Sequence, residues 1–370
     1  MKPLIRAYAR RVEEALDANR DIWAEEVLSR PEGATYELDL GKNPNLTYEH
    51  IKDYLPPLRT VNASFKHYPI VLGLKEGEEK IRLVSDGSQI GCSLNPWRLD
   101  GGGWTAWFQP DLKVFILVGE HETAFGVDLR KLKGPSYLRG YLPIVQLSYV
   151  ADGVLYGEEV FAASIPGLEP KLFAYVKLRA SVLDESRLSK ARVSVSFETP
   201  SRFTEEGDLL MDEGQRYCCQ FSPGWSFNSE TSTLTYDFDL KGGTEGTAFL
   251  LIPNRPLSFT PLEPLNEAAY EEAKQNLVEY WEGNLRRAAH IRVPEKVVND
   301  ALRALIIQTF ILTVRDEVRY SSGNVYDRQY LMECGDAVMA LVLLGYEDET
   351  MRYLERLKNY RQAGLKQFSI

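Results

Sequence analysis

The longest stretch of uniform hydrophobic pattern in this 370-residue chain runs from residue 33 to residue 261. In it, short runs rich in Val, Ile, Tyr, Phe and Thr alternate with turn sequences, which is typical of β-strands. After residue 266, apolar residues recur at helical spacing over segments of several turns. A chain that keeps its strands and helices apart in sequence is expected to form separate β and α regions, because a parallel sheet needs helices between its strands.

Residues 33–261 are predicted to form an antiparallel β-sandwich of roughly a dozen strands. Two runs, KVFILVG at 113–119 and ARVSVSFE at 191–198, should alternate in burial, because successive side chains of a strand point to opposite faces. Turn sequences such as SDGS, LDGGG and LKGGTEG separate the runs. The three prolines of Arg255–Leu265 then indicate an extended linker.

The helical part begins with a linker and connecting helix, predicted within residues 262–295 with Asn266 as the N-cap. Trp281 of this helix is expected to pack between the sandwich and the helical segment, because the two regions need an apolar joint. Pro294 stands where the next helix starts, and residues 296–370 are predicted to begin a helical domain. Its segment ALIIQTFILTV is apolar on nearly every side, which is typical of a helix buried all round. Neighbouring segments are amphipathic. This alternation is expected in the first hairpins of a double-layered helical barrel, and a simple bundle shows it too.

Residues 1–30 are predicted to form an amphipathic helix, because their apolar residues recur at helical spacing. They lack the continuous apolar core and small-residue cleavage site of a signal peptide. No apolar run reaches the ~18 residues of a membrane span, so we expect no membrane partner and a cytoplasmic location. The net charge of −10 argues against a nucleic-acid partner, which needs a basic face.

The cysteine and histidine spacing indicates neither a metal site nor a disulfide framework. No C-x-x-C pair occurs, and no two of the four histidines stand at metal-ligand spacing. We therefore predict reduced and mostly buried cysteines, no metal and no cofactor. The cysteines are Cys92, Cys218, Cys219 and Cys334.

One very apolar helical segment opens with charged side chains, although burying charge is costly. The stretch Asn324–Glu349 reads NVYDRQYLMECGDAVMALVLLGYEDE. A carboxylate close to a helix N-terminus is favoured by the helix dipole. Charged residues at the start of such a helix are also tolerated if they face a polar cavity while the rest of the helix is buried away from water.

The order of a β-sandwich, a linker helix containing Trp281, and a helical domain opening with I-x-V-P-x-x-x-x-x-x-A resembles the six-hairpin glycosidases. The last motif includes Ile291, Val293 and Pro294. The family comprises carbohydrate-active enzymes with an (α/α)6 barrel, including glucoamylase-like, rhamnosidase-like and sugar-phosphorylase-like members. The stretch Tyr326–Tyr346 is similar to the segment after the first barrel helix, where a Tyr or Trp, an Arg and an Asp line a sugar subsite. This chain reads E-C-G-D-A where glucoamylase-like members read R-D-G-A.

The resemblance implies an N-terminal antiparallel β-sandwich followed by the first hairpins of an incomplete (α/α)6 helical barrel. It also implies a glycoside hydrolase-like enzyme acting on a carbohydrate substrate. Aromatic faces stack on sugar rings, and carboxylates and Arg make charge-assisted hydrogen bonds to hydroxyls. The implied substrate-binding residues are Tyr326, Asp327, Arg328, Glu333 and Asp336. Alternatively, Asp327 and Arg328 form a solvated cap and Asp336 caps the helix N-terminus.

The catalytic residues are expected outside this chain. Glycoside hydrolysis needs two carboxylates about 5–10 Å apart, and the resemblance implies that they come from the middle and end of the helical domain. The residues after 295 are too few for twelve helices with loops, which need roughly 190. We therefore expect an inert N-terminal portion whose exposed helices require a missing C-terminal helical region or a partner chain.

A second class of function stays open: a non-catalytic carbohydrate-binding or assembly module whose sandwich binds glycan while its helices only dock. The aromatic segment NPWRLDGGGWTAWFQ, with Trp97, Trp104 and Trp107, is a candidate sugar platform on the sandwich. Such residues more often form sheet core or an inter-domain plug. The reading frame beyond codon 370 discriminates between the two classes, because an enzyme requires further helical hairpins and carboxylates.

Overall fold

The structure, a computed structural model, describes seven segments of the chain: residues 70–92, 112–183, 191–199, 201–240, 245–258, 263–319 and 329–358. The predicted N-terminal helix and the Trp97–Trp107 segment lie outside these residues. The described residues belong to two compact units, residues 290–300 and all the others. The sheets, most helices and every site described below lie in the second unit.

Sheet A contains eight strands within the described residues. They are β1 (Ile70–Leu72), β2 (Ile81–Leu83), β3 (Gln89–Cys92), β4 (Leu112–Val118), β5 (Thr123–Ala124), β10 (Ala191–Glu198), β14 (Trp225–Asn228) and β15 (Thr233–Phe238). Their order is β1-β2-β3-β4-β10-β15-β14, with β5 paired to β4, and every pairing is antiparallel.

Sheet B contains nine strands, also all antiparallel. They are β6 (Leu132–Leu138), β7 (Leu142–Ala151), β8 (Val154–Ala163), β9 (Phe173–Val182), β11 (Phe203–Glu206), β12 (Leu209–Asp212), β13 (Arg216–Phe221), β16 (Gly246–Pro253) and β17 (Leu257–Ser258). Their order is β11-β12-β13-β16-β9-β8-β7-β6, with β17 paired to β13.

The predicted sandwich is confirmed by the way its strands bury their side chains. Along β4, Val114, Ile116 and Val118 are buried, while the residues between them are half-buried. They share one apolar core with Val160 of β8 and Leu250 of β16, so the core lies between the two sheets. Sheet B is buried on its second face as well, which is why β8 is buried along nearly its whole length.

Four α-helices follow the sheets within the described residues: α1 (Glu267–Leu285), α2 (Lys296–Leu312), α3 (Leu331–Leu343) and α4 (Glu347–Lys358). Asn266 is the N-cap of α1, as the sequence predicts, and its side-chain oxygen accepts a hydrogen bond from the backbone N–H of Ala269 at 3.0 Å. Gly345 follows the end of α3 with φ of +88°, the left-handed conformation that glycine adopts readily. None of these helices is long and apolar enough to cross a membrane.

Trp281 of α1 is completely buried. It belongs to a second apolar cluster that joins Leu142 and Phe161 of sheet B to Phe310 of α2 and Tyr346 beyond α3. The sequence predicted that Trp281 packs between the sandwich and the helical segment, and its burial in this shared cluster agrees with that prediction. The helices therefore cover the second face of sheet B.

Two expectations need correction. The described residues contain 17 strands rather than about a dozen, because strands of two to four residues leave too short a pattern to recognise. Part of the predicted linker also belongs to sheet B, since Leu257 and Ser258 pair with Tyr217 and Arg216 of β13. The four helices form no barrel within the described part of the chain, so the (α/α)6 arrangement stays a prediction.

Candidate functional site

Three of the five predicted substrate-binding residues, Tyr326, Asp327 and Arg328, lie outside the described residues. Glu333 lies in the first turn of α3, and nothing is described of its side chain. Asp336 lies in the second turn of α3 with its side chain exposed. The predicted site is therefore not assembled within the described residues, and its substrate-binding role stays a prediction.

Asp336 shares one face of α3 with exposed apolar side chains. It is separated from Met339 and Leu343 by three and seven residues, a spacing that places all three on one side of a helix. Met339 is 59% exposed and Leu343 75% exposed. The opposite face carries Cys334 and Val338, which are buried in the cluster against sheet B. Asp336 thus stands on the apolar face of α3 that the other described residues leave open.

The alternative role of Asp336 as a helix cap does not fit the position of α3. The helix begins at Leu331, its N-cap is Tyr330, and no side chain caps it. Asp336 follows that cap by six residues, whereas a capping side chain acts from the N-cap or the first turn. Asp336 also makes no hydrogen bond or ion pair within the described residues.

A network of charges ties α4 to the rest of the unit. Glu349 is 3% exposed, and its carboxylate accepts hydrogen bonds from Lys75 at 2.5 Å and from Arg287 at 2.7 Å. Burial would raise the pKa of Glu349, but the hydrogen bond from Lys75 and the charges of Lys75 and Arg287 outweigh it, so its pKa is lowered. Glu349 is therefore a structural anion whose hydrogen-bonding capacity is directed at protein groups.

A second network joins α1 to sheet B. Glu159 of β8 is 4% exposed and accepts hydrogen bonds from Lys274 at 2.7 Å, Gln146 at 2.7 Å and the Tyr270 hydroxyl at 3.2 Å. Lys177 of the neighbouring strand pairs with Glu271 of α1 at 3.1 Å. Because protein groups already occupy both oxygens of Glu159, this buried carboxylate serves to dock the helix.

A pocket of about 600 Å³ lies on the helix-facing side of sheet B, beside α1. One part of its lining comes from four neighbouring strands, β8, β9, β16 and β13. Their residues in the pocket are Ala163, Tyr175, Leu251 and Gln220. The loop Ser164–Glu169 and one side of α1, between Ala269 and Tyr280, complete most of the lining.

Gln220 gives this pocket a fixed polar group. It is 2% exposed, and its amide nitrogen donates to the Asp208 carboxylate at 2.9 Å and to the Glu263 carbonyl at 3.1 Å. Both donors of the amide are thereby engaged, which sets its orientation. Its oxygen, Oε1, is buried without a hydrogen-bond partner in the described structure. The sequence analysis missed this site, although a glutamine inside the apolar run RYCCQF was the available signal.

The four cysteines are buried thiols of low reactivity. All four are buried and none forms a disulfide. Burial raises the pKa of the thiols of Cys92 and Cys218 to about 12, so the nucleophilic thiolate is scarce at neutral pH. Among the described residues, no group of three or more His, Cys, Asp or Glu side chains is arranged to hold a metal ion.

Comparison with known proteins gives little further information. No family model matches the chain, and no curated protein matches it. Among solved structures, it is similar to a protein from the human microbiome provisionally described as a kojibiose phosphorylase. The TM-score is 0.35 and the sequences are 9% identical, over 68% of this chain and 40% of the other. The chain thus matches less than half the length of that protein, and at this TM-score the likeness establishes neither a shared fold nor a shared activity.

Proposed function

We propose that this chain is the N-terminal part of a glycoside hydrolase-like, carbohydrate-active enzyme that acts on glycosidic bonds. In this proposal the substrate-binding residues are Tyr326, Asp327, Arg328, Glu333 and Asp336. The observation that carries the proposal is the open face of α3, where a carboxylate stands among exposed apolar side chains. The resemblance of the sequence to six-hairpin glycosidases supplies the class of substrate.

The open face requires a cover. Leu343 of α3 and Met351 of α4 are 75% and 64% exposed, and Leu354 is 46% exposed. Leaving such side chains in water is unfavourable, and neighbouring exposed apolar residues commonly mark a contact surface. We propose that further helices of the same protein, or failing these a partner chain, cover this surface. Asp336 would then line a polar cavity between helices instead of facing bulk water.

The chemistry of the proposed site suits sugar recognition more than proton transfer. An ionised Asp is purely an acceptor for sugar hydroxyls, and Arg presents a planar fork of donors. The two can pair when the site is empty and bind neighbouring hydroxyls when it is occupied. The acid and base that cleave the bond are proposed to come from other helices, so this chain alone is expected to be inactive. The unpaired cysteines suit the proposed cytoplasmic location.

The proposal is tested by reading the coding sequence beyond codon 370 and expressing the complete open frame. The complete protein should release sugar from a panel of α- and β-linked glycosides, assayed with and without phosphate to separate hydrolysis from phosphorolysis. The 370-residue chain should be inactive in the same assay. A stop codon directly after codon 370, or a complete protein inactive on every glycoside, contradicts the proposal.

Asp336→Asn tests the binding role in the complete protein. It should weaken sugar binding by about 1–3 kcal/mol, because a charged hydrogen-bond partner is lost, while the melting temperature changes little. Titration calorimetry and a melting curve measure the two effects. Asp348→Asn is the matched control, since this aspartate lies on α4 with its side chain 86% exposed. Unchanged affinity with a collapsed melting temperature would give Asp336 a structural role.

The second candidate function is a non-catalytic carbohydrate-binding module. The pocket beside α1 favours it, because that pocket is formed by the sheet, its loops and α1 and needs no further helices. Specific binding of glycans by the 370-residue chain, together with a stop after codon 370, would support this function over the enzyme.

A further inference from the structure

We infer that the pocket beside α1 binds a neutral, polyhydroxylated small molecule of about the size of a pyranose ring or two. This deepens the second candidate function by naming the ligand class of the pocket, and it is independent of the proposed enzyme, because the lining includes no residue of α3 among the described residues. It stands on the chemistry of the pocket itself, whether or not the helical segment belongs to an enzyme.

One residue that lines the pocket carries an unsatisfied hydrogen-bond acceptor. Gln220 Oε1 is buried without a partner in the described structure, while both donors of the same amide are engaged. A buried acceptor left unpaired is costly. The Ser164 hydroxyl, in the loop that lines the pocket, is also buried without a hydrogen-bond partner. A ligand that carries hydroxyl donors would satisfy both groups.

The charged side chains that line the pocket disfavour an anionic ligand. Three lining residues are acidic, Glu169, Glu263 and Glu272, and all three are exposed. Among the described residues, no Lys, Arg or His lines the pocket. This arrangement repels phosphates and carboxylates, and it leaves acceptors at the rim for additional donors. The ligand is therefore neutral or cationic.

The pocket lining suits a neutral polyol better than an amine. An amine would place its ammonium at the acidic rim and an apolar body inside, leaving the oxygen of Gln220 without a partner. A sugar ring carries donors around its edge and has an apolar C–H face. Apolar lining residues such as Ile165, Leu251 and Leu277 suit that face. The volume of about 600 Å³ also falls in the range of roughly 300–1,000 Å³ that is common for small-molecule sites.

The experiment measures binding to the 370-residue chain by ligand-observed NMR and titration calorimetry. The probes are glucose, galactose, mannose and gluco-disaccharides, with glucose 6-phosphate and n-butylamine as the anionic and cationic alternatives. At least one neutral sugar should bind saturably, whereas glucose 6-phosphate should bind far more weakly. Because no turnover is measured, failure of the proposed enzymatic activity does not affect the result.

Three variants test the location. Ala273→Trp fills the pocket from α1 and should abolish sugar binding, whereas Ala268→Trp changes an exposed alanine of the same helix outside the pocket and should leave binding intact. Ser164→Ala should weaken binding about fivefold, the effect of one neutral hydrogen bond. It also tests the site if the bulkier Ala273→Trp fails to fold.

The inference is overturned by any of three results: no neutral sugar binds saturably, n-butylamine or glucose 6-phosphate binds as tightly as the best sugar, or a folded Ala273→Trp chain binds sugar as well as Ala268→Trp. If Ala273→Trp does not fold, unchanged affinity of Ser164→Ala overturns it instead.

Discussion

Glu158 and Glu159 are consecutive residues of β8, yet the two faces of sheet B give them opposite environments. Glu158 points into the core between the sheets, where it is completely buried and neither carboxylate oxygen has a hydrogen-bond partner in the described structure. Glu159 points toward α1, where Lys274, Gln146 and Tyr270 all donate to its carboxylate. Within the described residues, the carboxyl group of Glu158 thus has no hydrogen-bond partner on the inner face, whereas that of Glu159 has three on the outer face.

The difference determines the charge of each group. Desolvation raises the pKa of Glu158 well above its ordinary value of 4.5, and the nearby charge of Asp86 raises it further. A carboxyl group in that environment stays protonated, because ionisation would bury an unpaired charge. Glu159 instead has a cation at 2.7 Å in Lys274. Sheet B therefore excludes charge from its inner face and uses charge on its outer face to hold a helix.

Glu159→Ala should have the largest effect on stability. It leaves Lys274 and Gln146 without their shared acceptor, and it leaves the buried hydroxyl of Tyr270 with only the Glu159 backbone carbonyl at 3.2 Å. Removing one partner of a buried ion pair costs about 3–5 kcal/mol. Urea unfolding followed by tryptophan fluorescence measures the loss, and Trp281 on the same helix is a suitable reporter. A loss below about 1 kcal/mol would mean that this network does not hold α1 to the sheet.

Glu158 should make the folded state less stable as the pH rises. Because its pKa is raised on folding, the folded chain keeps a proton that the unfolded chain releases above pH 4.5. Its contribution is complete below that pH and is lost as the pH rises toward the folded pKa, at no more than about 1.4 kcal/mol per pH unit. Glu158→Gln should remove this dependence, so the stability of the wild-type chain should fall relative to that of the variant as the pH rises. Parallel curves across this range would contradict the assignment.

Local sequence patterns predicted much of the architecture. The division into strands and helices follows from hydrophobic period, and the cap at Asn266 follows from helix-end chemistry. The joint at Trp281 follows from the need of two regions for a shared apolar contact. Each depends on residues close together in the chain or on one large apolar side chain, so no knowledge of the topology was required.

The environments of Glu158 and the pocket could not be predicted in the same way. Both faces of β8 are buried, so the alternation that normally separates inside from outside is absent. The pocket combines residues of β8, β9, β13 and β16, which become neighbours only through the strand order of sheet B. The candidate site on α3 was found from a run of charges, but its cover requires residues that no local pattern identifies.

Tyr270→Phe isolates one hydrogen bond of the outer face. The Tyr270 hydroxyl donates to Glu159, and it is deeply buried, so its pKa is raised by desolvation first and by the adjacent carboxylate second. Its removal should cost about 1 kcal/mol, because the ring keeps its packing and Glu159 keeps Lys274 and Gln146. In a double-mutant cycle with Glu159→Ala the two losses should be less than additive, since both remove the bond between hydroxyl and carboxylate, while the Glu159 backbone carbonyl still accepts from Tyr270 in Glu159→Ala. Full additivity would show that the hydroxyl and the carboxylate are not coupled.

Glu198→Ala should have the smallest effect on the free energy of unfolding. It tests whether a charge pair on a sheet contributes to stability only when a helix buries it. Glu198 of β10 pairs with Lys113 of the neighbouring strand on the open face of sheet A, where its side chain is 60% exposed. Water solvates the remaining Lys113 ammonium after the change, and salt already screens the pair before it, so the loss should stay below about 0.5 kcal/mol. The same urea titration at low and high salt measures it. A loss comparable with that of Glu159→Ala would show that Glu159 stabilises the fold through charge pairing alone and not through its burial under α1. The contrast between the two sheet faces would then need a different cause.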